Sequence, residues 1–183
     1  MQSILTDIVA ADRRAGEVIR RLREMLKRGE VSLRPVLLNE VIEEVLHLAH
    51  SDLIGREITV VRDLATDLPP IAGDRVQLQQ LVLNLILNGA DAMADNESGM
   101  RRLHFQTMFH EGRVQAAVRD EGVGLPANPE RLFEPFYTTK PHGLGLGLSI
   151  CQAIVAAHRG RLWAESHPDR GAVFYFEVPI AES

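Results

Sequence analysis

The chain has 183 residues, of which 45% are hydrophobic and 25% are charged, and its formal net charge is -5. This length suits one domain of about 100–200 residues plus an appendage, with enough apolar content for a core without disulfides or metal. The acidic balance gives no electrostatic reason to expect a nucleic-acid partner. No apolar run is long enough to predict a membrane span, although a longer parent protein could be membrane-attached.

The single cysteine, Cys151, has no partner for an internal disulfide, so a reducing, cytoplasmic compartment is expected. It lies inside an apolar run of helical character. We therefore expect its thiol to be a small buried hydrophobic group.

The segment from about residue 3 to residue 29 is highly charged and predicts one long helix. Its apolar or small positions recur at alternating spacings of four and three, which is a heptad seam that needs a partner helix. Gly29 and Pro35 end the pattern, and we expect residues 1–34 to be separate from a domain over residues 35–183. The seam positions are Ile4, Ile8, Ala11, Ala15, Val18, Leu22 and Met25.

Three further helices are predicted after Pro35, within a mixed α/β pattern. The clearest start is Asp74, because Gln77 three residues later completes a capping-box signature. Asn39 is expected to cap the first of the three. The predicted helices span about Asn39–His50 (with Gly55 as its stop), Asp74–Ala94 and Leu148–His158 (closed by Gly160).

Strand-like runs alternate with these helices. Two of them meet at Glu111-Gly112, which predicts a hairpin. A stretch rich in glycine and proline, residues 121–147, separates that hairpin from the last helix. The predicted strands are Glu57–Asp63, the short Ile71–Ala72, Leu103–His110, Arg113–Asp120, Arg161–Ser166 and Ala172–Pro179.

Two asparagines, Asn84 and Asn88, stand four residues apart on one face of an otherwise aliphatic helix. Burying an amide without partners costs roughly 1–3 kcal/mol, so each needs a reason to be there. A core hydrogen bond or a cap is one explanation. The other is a pair of oxygen ligands for Mg²⁺ and phosphate groups, since Mg²⁺ prefers hard oxygen donors.

A second motif, DEGVG, spans residues 120–124 at the end of a predicted strand. The Asp120 carboxylate can accept a hydrogen bond from a ligand amine. Gly122 and Gly124 let the backbone turn and approach a flat ring. By itself the motif is equally compatible with a plain Asp-Gly turn.

A third motif, RLFEPFYTTK over residues 131–140, brackets a proline with two phenylalanines and ends in two hydroxyls and a cation. The aromatic part is typical of a small hydrophobic anchor at the base of a loop. Lys140 can act as a point-charge partner for phosphate, or it can simply be solvated.

The fourth motif, GLGLGLSI over residues 143–150, is a glycine-rich loop that opens a helix. Backbone N–H groups and the positive end of a helix favour phosphate binding there. The loop has no Gly-Lys-Ser/Thr and lacks the G-x-G-x-x-G spacing, which excludes the P-loop and Rossmann nucleotide sites.

Together the four motifs resemble the GHKL ATPase superfamily and, within it, the sensor histidine kinases. LNLILNGADAM is similar to the N box, DEGVG to the G1 box, LFEPFYTTK to the F box and GLGLGLS to the G2 box. RGAVFYFEVP resembles the closing strand, so the match covers about Asp74 to Pro179. The resemblance implies a two-layer α/β sandwich (Bergerat fold), with a mixed sheet of about five strands packed on three helices and preceded by one long helix.

The resemblance also implies ATP and Mg²⁺ as ligands and assigns roles to residues. Asn88 would hold Mg²⁺, with Asn84 and Lys140 as its catalytic companions, and Asp120 would bind the adenine amine. Two departures stand out, namely Asp91 where many kinases carry a basic residue and Ala172 where a hydroxyl is usual. The implied nucleotide-binding residues are Asn84, Asn88, Asp91, Asp120, Gly122, Gly124, Lys140, Gly143, Leu144, Gly145, Leu146, Gly147 and Leu148.

The implied reaction is phosphoryl transfer from ATP to a histidine, in which the protein mainly supplies positioning and charge stabilisation. In the family that the motifs resemble, the acceptor lies in a His-Glu/Asp-x-x-x-Pro-like box on an upstream helix. Of the seven histidines here only His110 precedes an acid, and no proline follows it. The phosphoacceptor is therefore expected on a helix outside this chain. The implied partners are that dimerisation helix, a second kinase copy in the full-length protein and the receiver domain of a response regulator. Residues 1–34 would then be the second helix of the dimerisation hairpin, resembling PAS-linked oxygen- or light-sensing kinases. An anti-sigma-factor serine kinase and a nucleotide-binding interaction module remain as alternatives.

Overall fold

The computed structural model describes residues 32–97, 99–140 and 143–181. The predicted helix over residues 3–29 lies outside these ranges, so it and the boundary at residue 34 stay predictions. The strands are β1 Arg34–Val36, β2 Thr59–Leu64, β3 Ile71–Gly73, β4 Arg102–His110, β5 Arg113–Asp120, β6 Arg161–Ser166 and β7 Ala172–Pro179. The helices are α1 Leu38–Gly55, α2 Arg75–Ala92 and α3 Gly147–Ala157, with a 3-10 turn at Pro129–Phe133.

A mixed five-stranded sheet forms one layer of the domain, in the order β2-β4-β5-β7-β6. Only β2 and β4 are parallel, and every other neighbouring pair is antiparallel. The β4–β5 hairpin turns at Glu111 and Gly112, whose φ angles of 49° and 75° are those of a type I′ turn. The predicted hairpin and the predicted mixed sheet on three helices are confirmed.

A second, two-stranded sheet pairs β1 with β3 in antiparallel fashion, with Arg34 opposite Gly73. Sequence reasoning found β3 as a short extended piece but took Pro35 only as the end of a helix. Pro35 sits inside β1 because a three-residue edge strand needs few backbone donors.

Helix α1 begins at Leu38 after Leu37, and no side chain caps it, so the prediction that Asn39 is the cap is wrong. The Asn39 amide instead donates to the carbonyl of Ala65 at 2.8 Å and accepts from the Thr107 hydroxyl at 3.0 Å. These two bonds tie the start of α1 to β4 and to the segment after β2. The helix also continues past the predicted His50, as far as Gly55.

The start of α2 confirms Asp74 as a cap, since its carboxylate accepts from the N–H groups of Val76 and Gln77 at 3.0 and 3.2 Å. The reciprocal half of the capping box is wrong. The N–H of Asp74 donates to Nε2 of His158 at 2.9 Å, and Nδ1 of that buried imidazole donates to the Ile154 carbonyl. This imidazole therefore joins the end of α3 to the start of α2.

The core lies between the helices and one face of the large sheet. Side chains along β5 point alternately to the two faces of this sheet, and one set of them enters the core. Val114, Ala116, Val118 and Asp120 are buried on the core face, and the residues between them face the other side, where only the small Ala117 is also buried. In the ranges that the structure covers, no helix combines the length and the apolar character needed to cross a bilayer.

Cys151 of α3 is fully buried, as predicted, and its Sγ lies 3.9 Å from the carbonyl of Leu81 on α2. Burial raises the pKa of this thiol to about 12. Because the thiolate is the reactive form, we expect no labelling of the native domain by a thiol reagent at pH 8 and full labelling in denaturant. Rapid labelling of the native domain would show that α3 separates from α2.

Candidate functional site

A cleft of about 670 Å³ opens between the C-terminal half of α2, the segment after β5 and the segment that leads into α3. Its charged and amide-bearing lining includes Asn88, Asp91, Asp120 and Lys140. Its apolar lining includes Val123, Leu125, Leu132, Ala172 and Phe174. Lys140 contacts Asn88 and Asp91, and we call this part of the cleft its polar end. We call the part around Asp120, Ala172 and Phe174 its apolar end, because Asp120 is the one charged side chain of these three lining residues.

Asp120 lies at the floor of this cleft and is only 2% exposed, because it is the last core-facing residue of β5. Its Oδ1 accepts a hydrogen bond from the N–H of Gly122 at 2.8 Å. Burial raises the pKa of Asp120, while the N–H groups of Gly122 and Ala172 and the charge of Lys140 act in the opposite direction. A buried carboxylate held by backbone donors is an acceptor for a ligand amine.

The walls beside Asp120 suit a flat ring. Ala172 and Phe174 are buried side chains of β7 that face the cleft. Val123 also lines the cleft and is 77% exposed. The usual hydroxyl is absent at Ala172, as the sequence indicated.

At the polar end Lys140 binds two groups of α2. Its Nζ lies 3.1 Å from Oδ1 of Asn88 and 3.0 Å from Oδ2 of Asp91. The side chain of Lys140 is 35% exposed and that of Asp91 43% exposed, so this ion pair is partly solvated. The amide oxygen of Asn88 thus already faces a cation, which is the chemistry that a Mg²⁺ ligand requires.

Asn84, the first asparagine of the pair, does not line the cleft. It lies beside Cys151 of α3, where its amide acts against the rise of the thiol pKa, and its buried Nδ2 has no partner at normal hydrogen-bond geometry among the described residues. The two asparagines share a helix but meet different surroundings, since a four-residue step on a helix also moves about 6 Å along its axis.

The glycine-rich loop meets the cleft only at Gly143. Behind it, Gly145 accepts from the N–H of Phe136 at 3.0 Å, Leu146 is buried, and Gly147 begins α3. The predicted residues that the structure brings to the cleft are Asn88, Asp91, Asp120, Gly124, Lys140 and Gly143. Those that do not line it are Asn84, Gly122, Leu144, Gly145, Leu146, Gly147 and Leu148.

Sequence reasoning missed the residues that brace the loop after Asp120. Asn96 is 5% exposed, donates to the Glu121 carbonyl at 2.9 Å and accepts from the guanidinium of Arg170. Arg170 also donates to the Gly122 carbonyl at 3.3 Å. In the sequence, Arg170 is marked only by its place between the last two predicted strands, Arg161–Ser166 and Ala172–Pro179, and no motif includes Asn96.

The model of the family described as histidine kinase-, DNA gyrase B-, and HSP90-like ATPase matches residues 73–182. The sensor histidine kinase TmoS of Ectopseudomonas mendocina is 37% identical over 182 residues, which are 97% of this chain and 18% of TmoS. The sensor protein FixL of Bradyrhizobium diazoefficiens is 40% identical over 173 residues, which are 92% of this chain and 34% of FixL. The chain therefore spans between 18% and 34% of the length of such relatives.

Solved structures show the same fold. The catalytic domain of the histidine kinase ThkA is 31% identical with a TM-score of 0.72, over 80% of this chain and 95% of that domain. Full-length ShkA in complex with AMPPNP is 27% identical with a TM-score of 0.78, over 93% of this chain and 36% of ShkA. ThkA in complex with the response regulator protein TrrA is 26% identical with a TM-score of 0.77, over 93% and 49% of the two chains. These comparisons confirm the resemblance seen in the four motifs.

Proposed function

Because the chain belongs to the family of histidine kinase-, DNA gyrase B- and HSP90-like ATPases, in its sensor-kinase branch, we propose that it carries out ATP-dependent histidine phosphorylation. In this proposal the γ-phosphate of ATP passes to a histidine on a dimerisation helix outside the chain and then to the receiver domain of a response regulator. The observation that carries the proposal is the cleft, with buried Asp120 at its apolar end and Asn88 with Lys140 at its polar end.

In this arrangement the adenine would occupy the apolar end of the cleft. Asp120 would accept a hydrogen bond from the exocyclic amine, and Ala172, Phe174 and Val123 would contact the ring faces. The backbone at Gly124 forms part of the same wall, where no side chain limits the approach of the ring.

The triphosphate would lie at the polar end. Asn88 would supply an amide oxygen to Mg²⁺. The ammonium group of Lys140 would then leave its hydrogen bond to Asn88 and bind a phosphate oxygen. Bound Mg²⁺ would neutralise phosphate charge and orient the γ-phosphate for in-line transfer. Asn84 lies outside the cleft lining, four residues before Asn88 on α2, so it would support this site through a water molecule and not through direct contact with the phosphates.

The partners follow from the same proposal. The complex of ThkA with the response regulator TrrA concerns a protein of the same fold, and it supports a receiver domain as the downstream partner. Residues 1–34 would be the second helix of a dimerisation hairpin, and the full-length protein would be a homodimer that works in the cytoplasm.

The proposed activity is tested by adding the dimerisation hairpin of the parent kinase in trans with radiolabelled ATP and Mg²⁺. Label on the hairpin that is acid-labile and alkali-stable is expected, since phosphohistidine has that stability. Acid-stable label would identify a serine kinase instead, and nucleotide binding without transfer would identify an interaction module.

Asn88→Ala is expected to lower the Mg²⁺-dependent gain in ATP affinity by about 10- to 100-fold, while affinity measured in EDTA changes far less. The reason is that the carboxamide of Asn88, with the oxygen proposed to bind Mg²⁺, is removed while Asp120 stays in place. Titration calorimetry with and without Mg²⁺ measures both quantities. Asn128→Ala, which removes an exposed amide that caps nothing, is the matched control. Equal losses with and without Mg²⁺ would contradict the metal role.

A further inference from the structure

A second cation stands behind the polar end of the cleft. Nη1 of Arg56, at the C-terminal end of α1, lies 2.8 Å from Oδ1 of Asp91. The other oxygen of that carboxylate, Oδ2, lies 3.0 Å from Nζ of Lys140. Asp91 therefore stands between two cations from different parts of the fold.

The charge of Asp91 would otherwise work against the proposed function. Asp91 lines the cleft beside Asn88, where the phosphates would lie, and like charges at such distances repel. Lys140 alone would be neutralised by Asp91, whereas Arg56, which Asp91 shares with Asp52, takes part of the Asp91 charge and leaves Lys140 freer to bind a phosphate. Arg56 supplies the second charge, and it does not itself line the cleft.

Arg56 is held in place from two sides. Its Nε pairs with Asp52 one turn earlier at 3.0 Å, and its carbonyl accepts from Nη1 of Arg101 at 2.8 Å. The guanidinium is therefore directed at Asp91 by contacts that do not involve the cleft.

We propose that Arg56 is a positioning residue for the triphosphate, acting through Asp91. By pairing with Oδ1 it cancels the negative charge that Asp91 would present to the phosphates, and it leaves Lys140 able to bind them. This inference rests on the proposed ATP site and names a residue that the four motifs do not contain.

The test compares binding across adenosine, AMP, ADP and ATP in Arg56→Gln. Since the proposed effect is repulsion by Asp91, the loss should grow with ligand charge, from none for adenosine to about two- to fivefold for ATP, as expected of partly exposed charges. Arg62→Gln makes the same charge change at an arginine that pairs with Glu43 outside the cleft, and it should leave all four affinities unchanged. Arg56→Lys should bind ATP like the parent.

A merely structural role for Arg56 predicts a different pattern. Asp52→Asn removes the other partner of Arg56 but leaves the pair with Asp91. A loss of ATP affinity in Asp52→Asn as large as that in Arg56→Gln would overturn the proposal. So would a loss in Arg56→Gln that is the same for adenosine and for ATP. No difference between Arg56→Gln and Arg62→Gln would overturn it as well. Adding Asp91→Asn to Arg56→Gln should restore ATP binding.

Asp91→Asn alone keeps the proposal testable if Arg56→Gln does not fold. ATP affinity is expected to rise, because the repelling carboxylate is gone and Lys140 is released from it, and an unchanged or lower ATP affinity would contradict the proposal. Failure of the parent domain to bind any of the four ligands would instead refute the ATP site itself.

Discussion

Asp120→Asn is expected to weaken ATP and ADP binding by about 10- to 100-fold, the equivalent of losing roughly 1.5–3 kcal/mol from a hydrogen bond to a charged group. An amide in this position presents an N–H to the adenine amine in place of an acceptor, while the space it fills is unchanged. Titration calorimetry with ADP measures the loss without interference from phosphoryl transfer.

The same substitution is expected to raise the melting temperature of the ligand-free domain at neutral pH. Burial raises the pKa of Asp120 in the folded state, so folding favours the protonated form. The stability linked to this group is present below its unfolded-state pKa and is lost as the pH rises through its folded-state pKa. At pH 7 the ionised carboxylate is a cost that asparagine does not carry.

Thermal melts from pH 7 down to the range where aspartate protonates check this sign. The advantage of Asp120→Asn should shrink as the pH falls, because the parent then carries a neutral carboxyl group too. Asp63→Asn removes an exposed carboxylate that accepts a hydrogen bond from Gln106 outside the cleft, and it should leave the ADP affinity unchanged. Unchanged ADP affinity in Asp120→Asn would refute the adenine position.

Gly171→Ala is expected to destabilise the domain by about 3 kcal/mol, which lowers the melting temperature by about 6 to 12 °C, and to abolish nucleotide binding. Gly171 has a φ of 85°, and a Cβ there would overlap the backbone carbonyl of Asp120 and lie 2.9 Å from Cα of Glu121. Backbone cannot rotate away as a side chain can, so the start of β7 has to move and the floor of the cleft moves with it.

Gly112→Ala separates this overlap from simple backbone strain. Gly112 has a similar φ of 75°, but a Cβ there meets nothing within 4 Å. Its cost should therefore be about 1–2 kcal/mol, with nucleotide binding intact. Circular-dichroism melts and ADP titrations of the two variants give the comparison. Equal destabilisation of the two variants would show that the overlap of the new Cβ with Asp120 adds nothing to the cost of the backbone strain.

Local chemistry made several features predictable from sequence. The Glu111-Gly112 turn, the Asp74 cap and the alternation along β5 each depend on residues close together in the chain. Asp120 could be singled out for the same reason, since a strand that ends in an acid followed by two glycines is a local pattern. The prediction for Asn39 was wrong because its side chain bonds to Ala65 and Thr107, which are distant in sequence, and not to the N–H groups at the start of the helix.

The sequence alone therefore determined the mixed α/β layout, the four motifs and the type of site they form. Tertiary structure decided which motif residues meet in the cleft. It placed Asn88 against Lys140 and turned Asn84 toward Cys151. It also brought Arg56 to Asp91 from a helix 35 residues away. The physical reason is that periodicity and turn chemistry act over a few residues, whereas charge pairing and burial act through space and depend on how the helices pack.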